Sequence, residues 1–258
     1  MTPVASLSMY DWPETQEALD CLWHSIAEKL HDAGIPAPEE LERGNSPSSN
    51  WENRALTLGQ TCGWPYANRL RGKVLPLGRF VYDIAAKPAG HYQSVYIGRN
   101  ANHAQFLGSP DVFLTLEKIA INGDDSQSGF HVFNEILGAS AQDMIHPEKR
   151  LLTGAHRDSI RAVAEGRADV AAIDSVAFEL AKRFETDAVG NVEVIGHSKP
   201  KPGLPLITSL EHANDIPVML EAIRISISEL AADKLQNLLI LDVMPASDGD
   251  YDEFLSAD

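Results

Sequence analysis

Residues 150–174 read RLLTGAHRDSIRAVAEGRADVAAID, and the rhythm of this stretch decides the fold class. Arg150–Gly154 is short and strand-like, Asp158–Glu165 is helical and stops at Gly166, and Val170–Asp174 is an apolar strand ending in a carboxylate. A strand, a helix and a strand within 25 residues is the unit from which parallel sheets are built, because a parallel return needs a crossover helix.

The same alternation extends in both directions. Upstream, Lys118–Gly123 and Ser94–Arg99 read as strands, and Ser128–Leu137 reads as a helix with Phe130, Phe133 and Leu137 on one face. Downstream come a helix over Ser175–Phe184 and strands at Val192–Ile195 and Leu204–Ser209. A helix from about Pro217 to Ala232, a strand at Leu238–Val243 and a short acidic tail follow. At the start, Val4–Tyr10 predicts a strand, and Asp11 with Glu14 three residues later predicts a helix N-terminus. Leu19, Leu22, Trp23, Ile26 and Leu30 carry that helix to a stop at Gly34 and Pro36, and a polar loop covers Gly44–Asn50. Leu56–Gln60 and Val74–Val81 are further strands. The pattern predicts an α/β architecture with mainly parallel sheets flanked by helices. Two Pro/Gly-rich stretches, Lys87–Gly90 and Lys199–Pro205, flank the middle third of the chain. They predict an inserted second lobe, residues 87–198, joined by two crossovers to a discontinuous first lobe of residues 1–86 and 199–258.

Composition narrows the function. The 258 residues carry 21 basic and 37 acidic side chains, a net charge of −16, with 44% apolar residues. That apolar share excludes a disordered chain. The acidic balance excludes a nucleic-acid or anionic-membrane surface, which needs clustered Lys and Arg. Cys21 and Cys62 form neither a disulfide framework nor a metal-ligand spacing, and no apolar run reaches the ~18 residues of a membrane helix. The N-terminus, MTPVASL, lacks a basic and apolar leader, so cytoplasmic residence is expected as the sequence stands, and periplasmic residence if a leader has been removed. Nucleotide-loop, dinucleotide and zincin motifs are absent, and no cofactor or metal is expected.

Three strand ends in the inserted lobe carry polar groups. Asn122–Gly129, NGDDSQSG, places Ser126 and Ser128 at a strand-to-helix turn, where hydroxyls, backbone amides and the helix dipole suit an anion. An ordinary helix cap accounts for the same residues equally well. Gly154–Ser159, GAHRDS, places His156 at a second such turn, and Asp174 ends a third strand, where an N-cap is the plain alternative. Parallel sheets set such ends side by side, and ligands bind there.

Ser126-Gln127-Ser128-Gly129, Gly154-Ala155-His156 and the run Ala162–Asp174, together with Met9-Tyr10-Asp11 and Gln60-Thr61-Cys62-Gly63, resemble the phosphate/phosphite/phosphonate-binding family of ABC-transporter solute receptors. The resemblance implies the type II periplasmic-binding-protein fold, two α/β lobes with a ligand cleft between them. It implies a phosphonyl cradle at Ser126, Gln127, Ser128 and Gly129, an oxyanion-binding His156 and an acceptor carboxylate at Asp174, with Tyr10, Thr61 and Cys62 on the opposite lobe. Gln127 stands where Thr is common in the family. The implied function is capture of a small phosphorus oxyanion without chemistry, as receptor for an ABC permease or as a cytoplasmic sensor or carrier. A cytoplasmic enzyme on the same fold, of the menaquinone or thiamine-precursor type, with Cys62 and His156 as its reacting pair, is the alternative.

Overall fold

Leu19, Leu22, Trp23, Ile26 and Leu30 fall on one face of the helix Gln16–Asp32, and that face is buried in the computed structural model. The structure describes residues 2–44, 47–99, 105, 107 and 109–255. The helix ends as its sequence dictates: Gly34, at φ +75°, donates its amide to the His31 carbonyl at 2.9 Å. Its start lies later than Asp11. Thr15 takes the cap position, its Oγ1 accepting from the Trp12 amide at 3.0 Å, while Asp11 binds Arg43 at 2.6 Å. Asp11 is thus drawn off by a cation 32 residues away.

The chain forms two compact units, Met1–Ala85 with Pro202–Asp258 and Ala86–Lys201. The first carries β1 (Val4–Ser6), β2 (Leu56–Gln60) and β3 (Val74–Tyr82), and the second begins with β4 (His91–Tyr92) and β5 (Ser94–Gly98). β6 (Ile119–Ile121), β7 (Arg150–Leu152), β8 (Val170–Asp174) and β9 (Glu193–His197) follow, and β10 (Lys201–Pro202) marks the return. β11 (Pro205–Ser209) and β12 (Ile240–Pro245) complete the first unit.

The α/β class holds, but the sheets are mixed rather than mainly parallel in their pairing. Unit 1 has strand order β1-β2-β11-β3-β12, and unit 2 has β7-β6-β8-β5-β9. β1 pairs parallel with β2, and β6 pairs parallel with both β7 and β8. β11 lies antiparallel between β2 and β3, β12 is antiparallel to β3, and β5 lies antiparallel between β8 and β9. The physical reason lies in the connections. Strands joined by helices within a unit keep one direction, whereas β5 and β11 each follow a passage from the other unit and have no crossover helix to set theirs.

Each sheet is covered by apolar side chains. In unit 1 the helices Gln16–Asp32 and Ile216–Glu229 pack Leu22, Trp23, Ile26 and Ile223 against Leu58, Leu77, Phe80 and Leu206. The other face holds Trp51, Tyr66, Val74, Tyr251 and Phe254. Unit 2 is centred on Tyr96, Phe113, Ile119, Phe130 and Phe133. The expected helix Ser128–Leu137 is instead a run of turns, a 3-10 turn His131–Phe133 and a single helical turn Asn134–Leu137 closed by Gly138 at φ +65°. The expected strand Val4–Tyr10 shortens to β1 and a 3-10 turn Ser8–Tyr10, and the helix expected over Pro217–Ala232 breaks at Leu230. Residues 45–46 of the polar loop lie outside the described residues.

Candidate functional site

In unit 2 the residues singled out at two of the three strand ends are joined by a hydrogen bond. After β6 the chain turns through Ser126–Gly129, where Ser126, Gln127 and Ser128 are all buried. The Gly129 amide donates to Ser126 Oγ at 3.0 Å, those of Phe130 and His131 to the Ser126 carbonyl at 3.1 and 3.0 Å, and that of Val132 to the Gln127 carbonyl at 2.9 Å. Among the described residues, the amides of Gln127 and Ser128 make no hydrogen bond, so they are the turn's uncommitted donors. The Gly129 amide, expected among the anion donors, is spent inside the turn.

After β7, Gly154 adopts φ +88°, a conformation that glycine reaches at no steric cost, and His156 opens the helix His156–Ala164. That bend brings His156 Nε2 to 2.8 Å from Ser128 Oγ. The residue as a whole keeps some exposure, but Nδ1 is closed to solvent. Burial pushes the imidazole pKa down to about 4, against a smaller upward pull from the Ala172 carbonyl. His156 is therefore neutral at physiological pH.

Gly129 is closely packed. A Cβ there would stand 1.8 Å from Asn122 Oδ1 and 3.2 Å from His156 Cε1. The Asn122 side chain thus occupies the space that any larger residue at 129 would need. Arg150 borders the turn: its guanidinium lies 4.7 Å from the Phe130 ring centroid and pairs with Asp124 at 3.0 Å. Arg150 is therefore bound to Asp124, and the turn itself offers neutral donors.

Asp174 caps a helix. Its Oδ1 accepts from the Val176 and Ala177 amides at 2.7 and 3.3 Å, capping the helix Ser175–Phe184, and its Oδ2 is also closed to solvent. The cap engages one carboxylate oxygen and leaves the ligand role implied by the family resemblance to be tested by substitution.

In unit 1, Tyr10, Thr61 and Cys62 lie just beyond the ends of β1 and β2. Tyr10 meets Tyr82 edge-on at 5.3 Å, and Gln60 Nε2 donates to Tyr82 Oη at 3.4 Å. Thr61 is fully buried, its amide donating to the Pro205 carbonyl at 3.2 Å, and Cys62, which is not in a disulfide, precedes the short helix Gly63–Pro65. Gln60 and Tyr82 join this cluster without having been expected. The conspicuous quartet Gln60–Gly63 contains one of them, but Tyr82 is separated from it by 22 residues and carries no local signal. Among the described residues, no group of three His, Cys, Asp or Glu could hold a metal ion.

Two α/β units, each a mixed sheet receiving one strand from a passage between units, and a hydroxyl-rich turn met by a histidine describe a solute-binding protein of the periplasmic type. The family model described as ABC transporter, phosphonate, periplasmic substrate-binding protein matches residues 53–249. The chain belongs to that family, whose members work with ABC transporters in the periplasm. No curated protein matches by sequence. Among solved structures, PhnD1 from Prochlorococcus marinus in complex with methylphosphonate superposes with a TM-score of 0.68 at 13% identity, covering 98% of this chain and 95% of that one. A binding-protein component of an ABC phosphonate transporter from Pseudomonas aeruginosa gives 0.65 at 16%, covering 97% and 84%. XAC2383 from Xanthomonas citri bound to chloride gives 0.66 at 13%, covering 97% of each. Among the described residues, no helix is long and apolar enough to cross a membrane.

Proposed function

We propose that this chain captures a small phosphorus oxyanion, of the phosphonate, phosphite or phosphate class, at the turn Ser126–Gly129, as the periplasmic receptor of an ABC permease. The observation that carries the reading is the 2.8 Å contact between Ser128 Oγ and His156 Nε2, beside the uncommitted amides of Gln127 and Ser128. When Nε2 bears the ring proton, His156 donates to Ser128 Oγ, and the Ser128 hydroxyl is free to donate to the anion. The Ser126 hydroxyl, whose oxygen already accepts from Gly129, keeps its proton for the same use. Neutral dipoles then replace the water around the anion without a competing cation. The methylphosphonate complex of the Prochlorococcus relative supports this ligand class.

Binding without turnover is the mode that this site supports. A histidine with a pKa near 4 is a weak base, because a general base works best near the operating pH. The family resemblance also assigns Tyr10, Thr61, Cys62 and Asp174 to the ligand, and each is tested by substitution in the same assay. Thermal-shift titrations with methylphosphonate, phosphite, phosphate, aminoethylphosphonate and sulfate decide the reading. A true ligand at 100 times its Kd adds ~2.7 kcal/mol of stability, and Ser128→Ala reduces that gain. A protein indifferent to every phosphorus compound does not have this function.

A further inference from the structure

Ser94, the first residue of β5, is almost entirely buried, and every polar atom it carries is engaged. Its amide donates to Ser198 Oγ at 2.8 Å, and its carbonyl accepts from the Ser198 amide at 2.9 Å. Its hydroxyl donates to the Ser128 carbonyl at 2.8 Å, across 34 residues of sequence. The peptide plane between Ser128 and Gly129 is therefore pinned at both ends. Ser94 holds its oxygen, and its N–H is held by Ser126 Oγ at 3.0 Å. That one plane holds the Ser126 hydroxyl oxygen through its N–H and adjoins the Cα that carries the Ser128 hydroxyl.

Ser198 belongs to the segment Ser198–Lys201, through which the chain leaves unit 2. A second tie runs beside the first. The Lys199 amide donates to Glu135 Oε2 at 3.0 Å, and Lys201 Nζ pairs with Glu135 Oε1 at 3.4 Å. Glu135 stands in the helical turn Asn134–Leu137 that follows the anion turn. The exit segment and the turn are thus fastened to each other through Ser94 and through Glu135.

We propose that Ser94 is a positioning residue for the anion turn, and that through it ligand binding at Ser126–Gly129 is energetically coupled to the order of the exit segment Ser198–Lys201. The proposal rests on the reading of that turn as the anion site. Coupling of this kind is reciprocal: a ligand that fixes the 128–129 plane fixes Ser94, and Ser94 holds both the amide and the hydroxyl of Ser198. Without the Ser94 hydroxyl, the Ser128 carbonyl loses its partner and the plane gains freedom to turn.

The test uses the full chain and methylphosphonate, in wild type, Ser94→Ala and Ser198→Ala, with calorimetric affinity and amide hydrogen exchange measured on each. In wild type, methylphosphonate slows exchange at the Ser198 and Lys199 amides. Ser94→Ala is expected to weaken affinity about tenfold, the worth of one hydrogen bond, and to abolish that slowing. It also moves the carbonyl carbon resonance of Ser128, a signature that a general loss of stability does not produce. Ser198→Ala keeps the Ser94 hydroxyl and so keeps the Ser128 resonance, but it loses the bond through Ser198 Oγ and is expected to show reduced ligand-dependent slowing. It serves as the working variant if Ser94→Ala does not fold. Unchanged affinity in Ser94→Ala, or ligand-dependent slowing as large as in wild type in either variant, overturns the coupling while leaving the anion site standing. No methylphosphonate binding by wild type overturns the site and the coupling together.

Discussion

At the scale of single residues, the turn Ser126–Gly129 works through close packing as much as through its hydroxyls. Asn122 Oδ1 fills the space beside Gly129, so Gly129→Ala forces Asn122 to rotate and presses on the His156 ring. Overpacking of this kind costs about 1–3 kcal/mol, and we expect Gly129→Ala to lower the Tm and weaken phosphonate binding. Adding Asn122→Ala should recover most of the stability, and denaturant melts of the single and double variants measure it. His156 makes a prediction of opposite character. Its folded pKa, near 4, lies below the ordinary value near 6.5, so the unfolded chain binds the extra proton between those limits. Stability contributed by the neutral ring is therefore full above pH 6.5 and declines as pH falls toward 4, by about 3 kcal/mol at most. His156→Gln should flatten that part of the stability–pH curve. A slope identical to wild type between pH 4 and 6.5 would show that the ring titrates normally.

At the scale of elements, the C-terminal 3-10 segment Asp248–Phe254 shows how an acidic, tail-like sequence becomes structure. Tyr251 and Phe254 are buried, and the Tyr251 hydroxyl donates to the Gly203 carbonyl at 3.0 Å. Phe254 covers Gly63, where a Cβ would come within 2.5 Å of its ring. Three carboxylates meet partners: Asp248 accepts from Tyr66, Asp252 pairs with Arg71 at 2.8 Å, and Asp250 pairs with Arg79 at 3.0 Å. Burial is the largest influence on Asp250 and pushes its pKa up. Hydrogen bonds from the Ser247 amide and hydroxyl and from Arg79 together outweigh it and hold the carboxyl below its usual range. Its stabilising effect is accordingly present above the unfolded carboxyl pKa and is lost as pH falls through the lower folded value. Arg79 is only 5% exposed in its side chain, against 32% for Asp250, so Asp250→Asn strands a buried cation. Removing one partner of a fully buried pair costs about 3–5 kcal/mol, and the partial exposure of Asp250 reduces this to about 1–3 kcal/mol. Urea denaturation of Asp250→Asn tests the figure, and a change under about 0.5 kcal/mol would show that the pair contributes nothing.

At the scale of the whole molecule, a chain with net charge −16 is proposed to bind an anion. Its long-range field repels the ligand, and local donors must overcome that repulsion at short range. Salt screens the field over about 8–10 Å while leaving buried hydrogen bonds largely untouched. The association rate for methylphosphonate should therefore rise as ionic strength increases from 10 to 200 mM, while the dissociation rate changes little. Stopped-flow measurements would contradict this if the association rate fell with added salt, since that pattern belongs to a site with its own attractive field.

The alternation around residues 150–174 determined the α/β class by itself, because hydrophobic periodicity is local and is legible wherever strands and helices are short. Motif order likewise singled out Ser126, Ser128 and His156, residues that the structure joins in one network. Strand direction was not legible: β5 and β11 run against their neighbours because of where the chain passes between units, which no window of sequence records. Nor were the Thr15 cap, the engaged Gly129 amide or the capping role of Asp174 separable from their alternatives, since each depends on which acceptor lies nearest after folding. Ser94 carries no signal in its own segment, because its partners, Ser128 and Ser198, lie 34 and 104 residues away. Local periodicity was enough for the alternation of strands and helices, though not for the turns that replace the expected helix Ser128–Leu137, and for the residue types suited to an anion. Only the tertiary structure decided which donors remain free, because hydrogen bonds are short-ranged and saturable, and each is claimed by whichever partner folding brings within about 3 Å.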